Sequence, residues 1–434
     1  MNPKNIKIET PPAVQEILKR LQSHGYEAYI VGGCVRDALL GREPEDWDIT
    51  TSALPLEVKA LFPNSTVDTG IQHGTVMVIK GGVGYEVTTY RVDGEYKDGR
   101  HPSNVTFTRS LTEDLKRRDF TINAFAWDEN GLIDCFNGIQ DLQDKVIRCV
   151  GNPDERFNED ALRIMRAVRF SAQLGFVIET QTRAMISKYA ARLADISMER
   201  IRVEFEKTLL SKNPFAVEEY AQLGLGGYII RDYADKCFRP ESADLYREIL
   251  KEKAADPDAA TKKAELYRRL LMAAFFVQLT AEETDKAFRY LKYDNKTREA
   301  VTDMIRYQKT AIEMDRVAVK LLLNKVGLET FLELLEFQNV LAACGQGISE
   351  LSQLKRIREL TDEILESGEA WNIAQLEVNG ADLIAAGVPK GKKIGEFLEK
   401  ILHKVIKNPT LNHKEKLLNS VFLSEVENEC SRGI

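Results

Sequence analysis

The sequence predicts a small α/β head built on a mixed sheet, followed by an elongated, all-helical remainder. Three observations predict it. Up to about residue 148, short apolar runs of strand character alternate with amphipathic helical stretches. Beyond Val150 nearly every stretch has helical periodicity, and strand signals are few. Between residues 29 and 49 an apolar run stops at Gly32-Gly33, a short helical pattern follows, and a strand pattern carries Asp46-Trp47-Asp48-Ile49.

A chain of 434 residues can bury a sizeable core and is expected to form several domains. Its longest apolar stretches, such as Leu270 to Leu279, are too short to span a bilayer, and no signal peptide heads the chain, so a cytoplasmic protein without a membrane partner is expected. Six cysteines (Cys34, Cys135, Cys149, Cys237, Cys344 and Cys430) lack C-x-x-C spacing, which suggests neither a zinc site nor a disulfide framework. Five scattered histidines argue against a histidine-based metal site. The net charge of −7 disfavours a nucleic-acid partner by its sum, but the distribution matters more. Basic patches stand at Lys116-Arg117-Arg118, at Arg163, Arg166 and Arg169, and at Lys390, Lys392, Lys393, Lys400, Lys404 and Lys407.

The head reads in order as a helix over Pro12 to His24, a strand over Ala28 to Val31, a helix through Arg36 to Leu40, the Asp46 strand, and a helix near Leu56 to Leu61. Thr75 to Lys80 and Tyr85 to Val92 then form a hairpin around Gly81-Gly82. Gly32-Gly33 lets the backbone approach an anion at a helix start, with Arg36 as a fixed positive charge beside it. The plain alternative for Gly-Gly is a tight turn, and for Asp-x-Asp a loop. Alternation along a strand puts Asp46 and Asp48 on one face, with Trp47 and Ile49 on the other. Such a carboxylate pair can hold divalent metal. Two oxygen-ligated ions roughly 3.5–4 Å apart would stabilise the attacking and leaving oxygens of an in-line displacement at phosphorus, which suits nucleotidyl transfer. Glu86 shares a face with Thr88 and Tyr90 and is a candidate third carboxylate, with a solvent-facing strand glutamate as the equal alternative. A dinucleotide-binding unit is disfavoured because G-x-G-x-x-G is missing.

The helical remainder is punctuated by Pro153, Pro214, Pro240, Pro257, Pro389 and Pro409, with a helix boundary or loop at Ala254 to Thr261 and no fixed-period repeat. Residues 158 to 170 read as one helix capped by Asn158, with Asp160, Arg163, Arg166 and Arg169 on a single polar stripe. The plain alternative is an exposed ladder of ion pairs, worth little. The chemical alternative is base reading. Cytosine and adenine each present an amino donor beside a ring-nitrogen acceptor, so one carboxylate with one guanidinium, Asp160 with Arg163, matches C and A and mismatches U and G. Arg166 and Arg169 would then reach phosphates or brace the pair.

Taken together, these segments resemble the class II tRNA nucleotidyltransferases, the CCA-adding enzymes, and their relatives the bacterial poly(A) polymerases. Gly32-Gly33-Cys34-Val35-Arg36-Asp37 with Asp46-Trp47-Asp48 resembles the catalytic motif, and Arg117-Arg118-Asp119-Phe120-Thr121-Ile122-Asn123-Ala124 the ribose and triphosphate motif. Glu159-Asp160-Ala161-Leu162-Arg163 resembles the base-selecting motif, and Ile196-Ser197-Met198-Glu199-Arg200-Ile201 the supporting helix that follows.

The resemblance implies a nucleotidyltransferase head (1–148), a helical neck with the base-selecting helix (149–235), a body (236–372) and a tRNA-binding tail (373–434). It implies magnesium at Asp46 and Asp48 in a two-metal site, and nucleotide contacts from Gly33, Arg36, Arg117, Glu159, Asp160, Arg163, Arg166 and Arg169, with Asp119 and Asn123 near the ribose. The segment Arg91 to Pro102 resembles the loop the family uses when switching from CTP to ATP, with His101 where the usual pattern has a second arginine; its length argues against the CC-only relatives. Val378 to Leu383, Gly391-Lys392-Lys393-Ile394-Gly395 and Asn412 are similar to the tail that holds the tRNA elbow, with Lys390, Lys392 and Lys393 as RNA contacts. No His-Asp pair suggests an appended phosphohydrolase.

The expected activity is template-independent addition of C, C and A to the tRNA 3′ end from CTP and ATP, with release of pyrophosphate and no DNA partner. The rivals within the same chemistry are A-only addition and poly(A) polymerisation. From other classes, the rivals are a non-catalytic RNA-binding module, against which the Asp46/Asp48 pair stands, and an enzyme that nucleotidylates protein.

Overall fold

A computed structural model describes residues 6–94, 105–239, 242–261 and 263–419. The chain divides into two compact units, residues 1–238 and 239–434.

The first unit opens with α1 (Pro12–Ser23), whose Val14, Ile17, Leu18 and Leu21 recur at helical spacing and bury one face. Strands β1 (Ala28–Val31) and β2 (Ile49–Thr51) flank α2 (Gly33–Leu39), and α3 (Pro55–Leu61) leads to β3 (Thr66–Gly70), β4 (Thr75–Lys80) and β5 (Val83–Thr89). A separate two-stranded ribbon, β6 (Arg91–Asp93) with β7 (Val105–Phe107), precedes α4 (Leu111–Lys116), β8 (Phe125–Asp128), β9 (Gly131–Asp134) and α5 (Gly138–Asp144).

The main sheet has seven strands in the order β3-β4-β5-β2-β1-β8-β9. Only β2 and β5 run parallel, and the other neighbours are antiparallel, so the sheet is mixed as expected. The predicted hairpin closes at Lys80 opposite Val83. Its two linking residues, Gly81 and Gly82, both have positive φ (59° and 79°), as a two-residue turn matched to strand twist requires. On one side of the sheet Val31, Leu115 and Ala126 pack with Tyr29, Leu111, Ile133 and Phe136.

Two local expectations are corrected. Asp46 and Asp48 precede β2 rather than lying in it, because pairing with β5 begins only at Ile49 opposite Val87. Residues 158 to 170 are also not one helix: α6 (Pro153–Glu159), capped by the Asn152 side chain, ends at an extended Asp160, and α7 (Leu162–Leu174) begins after it. Asn158 thus lies inside α6, and Asp160 restarts the helix by accepting the Leu162 N–H at 2.9 Å. A short parallel pair, β10 (Val146–Ile147) with β11 (Val177–Ile178), brackets this segment, and α8 (Thr180–Tyr189) and α9 (Met198–Leu209) follow.

The second unit is helical throughout its described residues, from the helix Ala243–Ala255 to Lys414–Leu417. The boundary expected near Ala254 falls where Ala243–Ala255 ends. One core gathers Val319, Leu323, Phe331, Leu335, Ile357 and Ile364. A second gathers Val378, Leu383, Phe397, Ile401, Val405 and Leu417. No described helix is long and apolar enough to cross a membrane.

Candidate active site

At the end of β1 the chain turns on Gly32, whose φ of 81° and ψ of −132° suit glycine alone. A Cβ there would sit 2.8 Å from Arg118 Nη1, so backbone and guanidinium meet only because the side chain is missing. Gly33 then starts α2. Val31 N–H donates to Asp48 C=O at 3.0 Å, which keeps the extended lead-in of β2 beside this turn although the ladder with β5 has not begun. The result is a cleft of about 680 Å³ into which Gly33, Arg36, Asp46, Asp48, Asp119, Asn123, Arg166 and Arg169 all open.

Asp46 is exposed and Asp48 half-buried. Burial, then the negative charge of Asp46, pushes the Asp48 carboxyl up to about 6; Arg118 opposes this and Glu86 adds to it. Crowded, incompletely compensated carboxylates are what a hard cation neutralises, so the residues present fit a divalent metal. Among the described residues no three His, Cys, Asp or Glu side chains stand close enough to hold an ion by themselves. Asp46 and Asp48 therefore suit a hard divalent ion that takes one or two carboxylates and completes its shell with water and substrate phosphate. Glu86 is exposed on β5 and outside the cleft lining, the solvent-facing alternative; it reaches Asp48 through charge.

The opposite wall is cationic and heavily cross-linked. Arg36 donates to Asn123 Oδ1 at 2.6 Å and to both oxygens of Asp37 at 3.0 and 2.7 Å. Asn123 in turn donates to Asp119 Oδ1 at 3.1 Å. Arg166 donates through Nε to Asp119 Oδ2 at 2.8 Å, and its Nη2 pairs with the same oxygen at 2.6 Å. Burial alone would raise the Asp119 carboxyl; Arg166, the Asn123 hydrogen bond and Arg163 together hold it far below the usual carboxylate range. Arg169 Nε lies 2.6 Å from Glu204 Oε2, a buried carboxylate on α9.

Several expected residues lie elsewhere. Arg117, expected at the nucleotide, turns to Asp114 with Nε and Nη2 at 3.0 and 2.8 Å from Oδ1, and the cleft is lined by Arg118 instead. The side chains of Asp160 and Arg163 have other partners: Asp160 accepts from Arg200 at 2.9 Å, while Arg163 donates to Glu159 at 2.6 Å and to the carbonyls of Arg156 and Arg117 at 3.1 and 2.8 Å. Arg163 braces the Arg117 carbonyl, and Glu159, Asp160 and Arg163 are not part of the cleft lining. Lys390, Lys392 and Lys393 are exposed at the start of the helix Lys392–Lys407 in the second unit. The loop residues 95–102, His101 among them, lie outside the described residues.

The sequence reading named Arg118 only within a motif and a basic patch, and gave no role to Phe170 or Glu204. A helical turn points adjacent arginines in different directions, so only knowing where α4 ends separates Arg117 from Arg118. Phe170 follows Arg169 and lines the cleft, and Glu204 carried no motif signal.

The chain is similar to known proteins along most of its length. Residues 28–148 match the poly A polymerase head domain, 175–237 the RNA and SrmB-binding site of polymerase A, and 267–421 the tRNA nucleotidyltransferase domain 2. The CCA-adding enzyme of Lactiplantibacillus plantarum is 40% identical over 424 residues, covering 94% of this chain and 95% of that protein. That of Limosilactobacillus reuteri is 55% identical over 229 residues, 51% of this chain and 57% of its own length. The crystal structure of the Bacillus stearothermophilus CCA-adding enzyme in complex with CTP superposes with a TM-score of 0.76 at 33% identity, covering 98% of this chain and all of that one. With likeness sustained over nearly its full length and a glycine turn, carboxylate pair and arginine wall meeting in one cleft, the chain belongs to the family of the CCA-adding enzymes.

Proposed function

We propose that this protein adds C, C and A to the 3′ end of tRNA, using CTP and ATP and no nucleic-acid template. The observation that carries the reading is one cleft with Asp46 and Asp48 on one side and Arg36, Arg166 and Arg169 on the other. In the reaction the tRNA 3′ oxygen attacks the α-phosphorus of the nucleotide, a phosphodiester bond forms, the α–β anhydride breaks and pyrophosphate leaves with the electron pair. Asp46 and Asp48 would hold magnesium, which when bound withdraws charge from phosphate oxygens and eases deprotonation of the attacking hydroxyl. The arginines orient the nucleotide and offset the charge of its phosphates. Arg118 brings Nη1 beside the Gly32 turn, and its buried Nε has no hydrogen-bond partner among the described residues. Asp119 and Asn123 set the wall's spacing, and the ribose fits their end of it.

Base choice is assigned to Asp160 and Arg163, whose edge complements C and A once they turn from Arg200 and Glu159 toward a base. Asp160→Ala is expected to relax selection, with UTP incorporation as the readout; an unchanged preference for CTP would remove the assignment. We assign residues 1–148 to a catalytic head, 149–235 to a neck, 236–372 to a body and 373–434 to a tail in which Lys390, Lys392 and Lys393 contact RNA. A reaction that draws on CTP and ATP and acts on tRNA is assigned to the cytoplasm.

The test is to incubate the purified protein with tRNA ending at its discriminator base and to sequence the extended ends. Addition of C, C and A is expected. A single A, or an A tract, would replace this reading with A-only addition or poly(A) synthesis.

A further inference from the structure

We propose that Phe170 is a positioning residue for nucleotide binding, a single ring that fixes three guanidiniums on the wall of the cleft. The proposal rests on the reading of that cleft as the nucleotide site. The Cζ atoms of Arg169, Arg36 and Arg166 lie 4.1, 5.0 and 5.3 Å from the centroid of the Phe170 ring. Two of these arginines share α7 with the ring, and the third comes from α2, so the contact joins the helix after the glycine turn to the helix of the neck. The ring is itself held: it is only 4% exposed and meets Phe120 edge-on, with centroids 5.8 Å apart and planes at 84°.

Three like charges in so small a space repel one another. Carboxylates relieve part of this: Asp37 at Arg36 and Asp119 at Arg166 do so by occupying N–H donors, and Glu204 stands 2.6 Å from Arg169 Nε as an ion pair. An aromatic face attracts a cation through its quadrupole and occupies no donor. A ring at this point therefore holds guanidiniums together while leaving the remaining N–H groups free to meet an anionic nucleotide. An aliphatic side chain would fill the same space without that attraction, and a carboxylate would attract but compete with the ligand. Because the arrangement is set before the nucleotide arrives, its effect falls on binding more than on turnover.

The test replaces Phe170 in the full chain with leucine, with 4-fluorophenylalanine and with pentafluorophenylalanine. The fluorinated rings keep the shape of the side chain while weakening and then inverting the charge of its face. CTP and ATP affinities are measured by equilibrium titration without RNA, alongside KM, kcat and thermal midpoint. Affinity for both nucleotides is expected to fall in the order wild type, monofluoro, pentafluoro, reaching about tenfold for the pentafluoro and leucine forms. At saturating nucleotide kcat should stay within about twofold, the signature of an effect on binding alone. Unchanged affinity in the pentafluoro protein overturns the proposal, even if leucine prevents folding. So does a loss confined to kcat and thermal stability, which marks mere packing. A wild-type protein that binds neither nucleotide would instead sink the parent reading of the cleft, and this one with it.

Discussion

The two sides of the cleft handle charge in opposite ways. On the side leading into β2, Asp46 and Asp48 stand together with Arg118 as their partial counterweight, and the Asp48 carboxyl is pushed up to about 6, first by burial and then by its acidic neighbour. On the α7 side the arginines that line the cleft each have a carboxylate: Arg166 has Asp119 and Arg169 has Glu204. A partnered charge is a rigid strut. A charge left incompletely partnered can engage a ligand, so the difference separates frame from chemistry: α7 fixes geometry, and the aspartates are the side proposed to hold a cation.

The largest expected effect breaks the acidic side. Asp46→Ala should lower incorporation of both CTP and ATP by about a thousandfold, in the range seen when a group that stabilises transition-state charge is removed. It should leave tRNA binding largely intact in a filter or gel-shift assay, and full activity would rule the metal assignment out. Breaking the other side should cost stability as well as nucleotide affinity. Arg166→Ala deprives Asp119 of its main partner and strips Glu204 of a second charge. Removing one member of a buried pair costs about 3–5 kcal/mol, and because the Arg166 side chain is one-third exposed the expected loss in urea unfolding is about 2 kcal/mol. By contrast, Asp46→Asn should raise stability at pH 7 in the absence of divalent metal, since it relieves Asp48. A destabilised Asp46→Asn would contradict the account of that side.

The contrast also has a pH signature of smaller size. Asp48 ionises near 6 in the folded chain and near the ordinary carboxylate value when unfolded. Between those values the folded state holds a proton that the unfolded state has lost, so this group makes stability fall as pH rises from about 4 to about 6. Asp119 is held below its ordinary value; its contribution is fully present above about pH 4 and disappears only as pH falls further. Thermal midpoints followed across pH should therefore flatten between about 4 and 6 in Asp48→Asn and steepen below 4 in wild type relative to Asp119→Asn. Added magnesium at pH 7 should raise the midpoint of wild type and leave Asp48→Asn unmoved.

Much of this was legible in the sequence where interactions are local. The Ala28 to Val31 strand, the two-glycine turn and the face of α1 follow from short-range patterning, whereas the hairpin's second strand, read as Tyr85 to Val92, runs Val83–Thr89 and leaves Arg91–Asp93 to a separate ribbon. What escaped depends on distant partners. The stripe Arg163, Arg166, Arg169 reads as an exposed ladder until Asp119 and Glu204, from other segments, are brought against it. The break at Asp160 escaped because Asn158 was read as the cap of a single helix, whereas the Asn152 side chain caps α6 and Asp160 restarts the chain as α7. Asp46 and Asp48 were read as strand residues because alternation was right, whereas strand assignment also needs a neighbour in register, which begins one residue later.

The smallest expected effect tests whether the comparison extends to the second unit. Lys392 and Lys393 occupy the first turn of the helix Lys392–Lys407, where the macrodipole disfavours cations, whereas Lys404 and Lys407 sit in its last turn, where cations are favoured. Stability accounts for the second pair but not for the first, so the first, with the exposed Lys390, is better explained by an external anion such as an RNA phosphate. Replacing Lys390, Lys392 and Lys393 together by alanine should raise the KM for tRNA several-fold at about 0.1 M salt and shallow its salt dependence by roughly one unit of slope for each phosphate no longer neutralised. CTP affinity should not change, and the thermal midpoint should hold or rise slightly. Replacing Lys404 and Lys407 should do the reverse, lowering the midpoint with little effect on the salt slope. If the two pairs behave alike, the lysines at Lys392 and Lys393 are an ordinary solvated face, and the assignment of RNA contacts to them fails.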